Sequence, residues 1–105
     1  MKFILTESKL ENIIFKYLDN QDFVKIEKKK HIYFVNSIDD RCFQIDFDED
    51  ISWCYIDVGL NREISSFFSL EKHKSKEIIS KWVENTLQIK ILHTFFSDNC
   101  SIPLN

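Results

Sequence analysis

Asp46, Asp48, Glu49 and Asp50 crowd one short stretch directly ahead of Trp53, and carboxylates this dense have three chemical uses. They can hold a divalent cation, exchange protons in pairs, or present negative charge to a basic partner. The first use is tested by spacing. Asp46, Asp48 and Asp50 alternate and Asp57 follows the first by eleven residues, which imitates a calcium loop. Such a loop needs glycine at its sixth position and a bidentate glutamate at its twelfth, between two helices. Here those positions are Ile51 and Asp57, between two expected strands. A carboxylate-bound metal in a small hydrolase or nuclease is therefore the second alternative, with no second convergent motif to support it.

Nucleophilic chemistry has less to draw on. His31, His73 and His93 fall on separate expected elements and share no ligand spacing. Cys42, Cys54 and Cys100 are odd in number and show no Cys-x-x-Cys spacing, which reads as reduced thiols. Cys54, beside Trp53 in an expected strand, reads as a small packing residue. With one glycine in the chain, glycine-rich phosphate loops and nucleophile elbows are excluded. The expectation is a protein that is not an enzyme, with no catalytic residue, cofactor or metal.

The third use of the carboxylates then leads. Residues 39–63 hold eight acids against two arginines, a local balance of −6, while the segments before and after come to +2 and +1. Either this acidic hairpin is a rim that steers a basic protein partner, or it is a solvated tip guarded against edge pairing. We take the first reading, with Asp46, Asp48, Glu49 and Asp50 as the charged rim and Trp53 as the aromatic anchor. Lys28, Lys29 and Lys30 form a basic tip, and Lys72, Lys74 and Lys76 crowd a helix start where the dipole disfavours cations. Contact with phosphate is the functional reading of that placement. A net charge of −3 nevertheless argues against direct nucleic-acid binding.

These residues must be positioned by a single domain, since 105 residues leave no room for a second. Apolar residues at 44% and charged residues at 30% describe a globular chain, and no apolar run approaches the ~20 residues of a membrane helix. A cytoplasmic location is expected. Leu10, Ile13, Ile14, Tyr17 and Leu18 form a helical stripe over about 7–19, with Thr6 as N-cap, Leu5 and Leu10 as a staple, or Ser8 and Glu11 as a capping box. Two alternating runs around Lys28–Lys30 predict a hairpin. A turn over Asp48–Asp50 pairs Phe47 with Ile51, Ile45 with Trp53 and Phe43 with Tyr55, lining one aromatic face, with Asp46, Cys54 and Ile56 on the other. Gly59–Asn61 is read as a turn, Arg62–Ser69 as a strand, 70–87 as a helix capped by Ser69 or Ser75, Gln88–Phe95 as a last strand and 97–105 as a loose tail.

The expected fold is α+β, a two-layer sandwich of an antiparallel sheet of four to six strands with an N-terminal and a C-terminal helix, in the order α-β-β-β-β-β-α-β. Phe67-Phe68 and Phe95-Phe96 put rings on both sides of expected strands, and a homodimer is one economical way to cover the outer ones.

The opening Met1-Lys2-Phe3-Ile4-Leu5-Thr6-Glu7-Ser8-Lys9-Leu10, leading into a helix, resembles the start of small uncharacterised proteins of tailed phages. The chain also lacks alanine, and Ile, Lys, Phe, Asn and Tyr, whose codons are AT-rich, supply 47 residues. Together these imply a phage or mobile element of a low-GC bacterium. Such an origin favours an inhibitor or immunity-type module in the host cytoplasm, with a phage structural or assembly protein as the alternative.

Overall fold

The computed structural model describes residues 7–104. The Thr6 cap and the Leu5 staple lie outside them, and Ser8 lies within the first helix rather than capping it. That helix, α1, runs Glu7–Asp19. Four strands follow, β1 (Val24–Lys28), β2 (His31–Val35), β3 (Ile45–Asp48) and β4 (Trp53–Asp57), then α2 (Val58–Phe67), α3 (Lys72–Leu87) and β5 (His93–Ser97). The class is α+β, as expected.

The order is α-β-β-β-β-α-α-β, because residues 58–67 form a helix where a turn and a strand are expected. Leu60, Ile64 and Phe68 recur at helical spacing, and Leu60 and Ile64 are buried. The Asp57 carboxylate caps this helix by accepting from Gly59 N at 3.0 Å. A Cβ on Gly59 would meet that carboxylate at 2.8 Å, so the lone glycine serves a cap and not a turn. In α3 the cap is Glu71, accepting from His73 N and Lys74 N, rather than Ser69 or Ser75.

Sheet order is β1-β2-β3-β4-β5, antiparallel through the first four strands and parallel between β4 and β5. The expected purely antiparallel sheet is thus mixed. Two helices separate β4 from β5, and that crossover returns the chain in β4's own direction.

Side-chain parity assigns the faces. Phe34, Ile45, Cys54 and Ile56 point toward the helices and build the main core with Ile14, Leu18, Leu60, Ile64, Ile78, Ile79, Trp82 and Val83. Trp82 Nε1 donates to Asp19 Oδ1 at 2.9 Å and its ring packs on Phe34 and Phe23, joining α1, α3 and the sheet. On the opposite face Tyr33, Val35 and Phe43 form a smaller cluster with Cys100 and Ile102.

The 97–105 segment, expected to be loose, is tied down through its described part. Cys42 and Cys100 form a disulfide, which overturns the reading of all three cysteines as reduced thiols. Phe43 N donates to Cys100 O at 2.8 Å, Ile102 N to Arg41 O at 2.9 Å, and Lys28 Nζ to Pro103 O.

Candidate functional site

The register of β3 and β4 decides what the acidic hairpin can do. Asp48 pairs with Trp53, Phe47 with Cys54, Asp46 with Tyr55 and Ile45 with Ile56. The turn occupies residues 49–52, one residue more than the expected turn, with Ser52 at φ 57°. An odd shift in register exchanges the two faces of one strand relative to the other. Trp53 and Tyr55 therefore leave the side of Ile45 and Phe47 and join Asp46 and Asp48, while Cys54 and Ile56 enter the core. The signal for this was the Trp53-Tyr55-Asp57 series itself. It ends in a carboxylate, whereas Cys54-Ile56-Val58 is apolar throughout, so the second series is the one to bury.

Carried across all five strands, the pairings build two rungs on the face away from the helices. One reads Ile26, Tyr33, Asp46, Tyr55 and Phe95, the other Lys28, His31, Asp48, Trp53 and His93. Each rung has an aspartate at its centre and an aromatic ring beside it on β4. The rings touch: Trp53 and Phe95 centroids are 5.0 Å apart, Tyr55 and Phe95 5.8 Å, and His31 stacks on Tyr33 at 5.5 Å.

His31 links the rungs. Its Nδ1 lies 2.8 Å from Asp46 Oδ1 and its Nε2 3.8 Å from Asp48 Oδ2. Asp46 is buried, and burial raises its carboxyl above the ordinary value more than the His31 hydrogen bond lowers it. Burial, reinforced by the charges of Asp46 and Asp48, likewise raises the phenols of Tyr33 and Tyr55, which remain protonated donors at neutral pH. A groove of about 320 Å³ runs over His31, Asp46, Asp48 and Tyr55, and the stapled C-terminal segment forms its other wall through Ser97, Asn99 and Ser101.

Of the expected site residues, Asp46, Asp48 and Trp53 share this face, but Glu49 and Asp50 do not. They sit in the exposed turn, where Asp50 N donates to Asp48 Oδ1 at 3.0 Å. Glu49 N donates to Lys30 O at 2.8 Å, which sets the acidic turn against the Lys29-Lys30 turn. The acidic turn thus has the lysine turn as its direct neighbour. His31, Tyr33, Tyr55 and Phe95 join the site only through the strand pairing.

The groove has a His–Asp pair, and Cys54 is not available to it as a nucleophile. Cys54 is fully buried on the opposite face, and burial pushes its thiol up to about 12, so it stays protonated. Among the described residues no group of three His, Cys, Asp or Glu side chains is arranged to hold a metal ion. Among them too, no helix is long and apolar enough to cross a membrane.

No family model matches the chain, and no curated protein and no solved structure matches it.

Proposed function

We propose that this protein is a non-enzymatic interaction module that takes a basic segment of a protein partner onto the outer face of its sheet. The observation that carries this reading is the position of Asp48, directly across from Trp53 and at the centre of a rung of His31, Trp53 and His93. A partly exposed carboxylate flanked by aromatic rings suits an arginine or lysine side chain, which gains an ion pair and a ring contact at once. Asp46 adds support, because a buried carboxylate whose desolvation outweighs its hydrogen bond is kept at a cost to stability. Trp53 and Tyr55 supply anchors of the type that dominate interface energetics.

The test is titration with arginine-containing peptides, read by the fluorescence of Trp53 in a Trp82→Phe background. Asp48→Asn weakens binding about tenfold or more, as does Trp53→Ala when the titration of the otherwise wild-type chain is followed by calorimetry, whereas Asp50→Asn in the turn leaves it unchanged. Equal loss from Asp50→Asn returns the site to the hairpin tip, and no loss from Asp48→Asn removes the proposal.

An inhibitor or immunity role in a phage or mobile element fits a small binding module of this composition. The Cys42–Cys100 disulfide favours an oxidising compartment, so a cytoplasmic role belongs to the reduced chain. The second reading, an assembly protein that self-associates, rests on Phe67. The residue is 67% exposed although its ring touches Tyr17 and Phe68. Sedimentation of wild type against Phe67→Ser decides it: a dimer that the substitution dissolves supports self-association, and a wild-type monomer ends it.

A further inference from the structure

A second cleft lies on the helical side of the sheet, away from the aspartate rungs, and it is cationic. It has a volume of about 270 Å³ and is lined by Val58, Asn61, Arg62 and Ser65 of α2, Lys72 of α3 and Phe96 of β5. No carboxylate lines it. Of the three nearest in sequence, Asp57 caps Gly59 N and Glu63 accepts from Tyr17 OH at 3.3 Å, while Glu71 accepts from His73 N and Lys74 N and its charge also reaches Lys72 without forming an ion pair with it. Arg62 and Lys72 make no ion pair among the described residues, and a third cation, Lys76, is held 5.1 Å from the centroid of the Phe96 ring.

The cations come at an electrostatic cost. Lys72 and Lys76 occupy the opening turns of α3, where the helix dipole repels positive charge and the first turn contains no acidic residue, so that the Glu71 cap is left to offset it. Local choices that oppose local physics mark functional positions more often than neutral ones.

The cleft also has a rigid floor. Asn61 and Ser75 are buried, and Ser75 Oγ donates to Asn61 Oδ1, while Asn61 Nδ2 donates to Lys72 O at 3.1 Å. This polar knot locks α2 to the start of α3 and holds the backbone of Lys72 at the cleft that Arg62 also lines. No part of it reaches the aspartate rungs.

We propose that this cleft binds a small phosphate ester, with the phosphoryl group between Arg62 and Lys72 and the organic group against Val58 and Phe96. Guanidinium and ammonium together match a phosphoryl group's charge and acceptor oxygens. The apolar wall selects an ester over a bare anion, and the cleft's size suits a small molecule rather than a duplex. The site is independent of the outer face.

Calorimetric titration of the intact chain with phenyl phosphate, inorganic phosphate, phenol and a single-stranded oligonucleotide tests this at low salt. Saturable binding of phenyl phosphate is expected, tighter than inorganic phosphate, with none for phenol. Arg62→Gln and Lys72→Gln, both at exposed positions, each weaken it about tenfold, while Asp48→Asn leaves it unchanged. No saturation by phenyl phosphate, or indifference to both substitutions, overturns the site. Inorganic phosphate binding as tightly as phenyl phosphate overturns the ester assignment, and tighter Arg62-dependent binding of the oligonucleotide reassigns the cleft to a nucleic-acid backbone.

Discussion

His31 Nδ1 and Asp46 Oδ1 stand 2.8 Å apart as diagonal neighbours on β2 and β3, and this contact joins the two aspartate-centred rungs of the outer sheet face. It only partly compensates Asp46 for its burial, since desolvation remains the largest influence on that carboxyl. That imbalance has a measurable consequence. The folded-state pKa of Asp46 is raised above the ordinary 3.8, so its contribution favours the folded state fully below that value and is lost as pH climbs through the raised one. Asp46→Asn cannot ionise. Its melting temperature relative to wild type rises from about pH 3 to about pH 6; a difference that shrinks over that range refutes the imbalance.

The disulfide closes a loop with a sequence separation of 58, and it staples the wall of the groove. On chain-entropy grounds, Cys42→Ser lowers unfolding free energy by about 4 kcal/mol. Denaturant titration measures the loss. Hydrogen exchange at the Phe43 and Ile102 amides, which bond to Cys100 O and Arg41 O, accelerates in the same variant.

Lys29 and Lys30 both adopt positive φ, 49° and 67°, in the two-residue turn between β1 and β2. That geometry favours Asn-Gly, whereas lysine is strained in it. The double substitution Lys29→Asn and Lys30→Gly stabilises the protein by roughly 1 kcal/mol, read as a higher denaturation midpoint.

Trp82 is 4% exposed and its indole N–H reaches Asp19. Trp82→Phe keeps a ring against Phe34 but removes that charge-assisted hydrogen bond, at a cost of about 2 kcal/mol by chemical denaturation. Asp19→Asn, which retains an acceptor, costs less.

The physical reason for each outcome separates what was legible in the residues from what was not. Helices α1 and α3 could be read directly, because an apolar stripe recurs along each, and the β1–β2 hairpin shows in its alternation around three lysines. Helix α2 was not, since Leu60, Ile64 and Phe68 mark few turns and Gly59 resembles a turn residue. Nor does glycine mark the left-handed positions of this chain: Asp22, Lys29, Lys30, Ser52, Ser69 and Gln88 hold them, and the lone glycine does not.

For the candidate site, the sequence alone determined that carboxylates and aromatics cluster around residues 46–55, because composition along the chain is local information. Whether they share a face depended on one residue in the length of a turn. A three-residue turn puts Trp53 with Ile45, and a four-residue turn puts it with Asp48. Either turn leaves a plausible hairpin, so the choice falls to the core, which buries Cys54 and Ile56 under the helices and turns Trp53 and Tyr55 outward. Likewise, nothing local connects Cys42 to Cys100, or Arg62 to Lys72 and Phe96. Those neighbours meet only after the sheet pairs and α2 packs against α3, when burial and chain closure act on residues far apart in sequence.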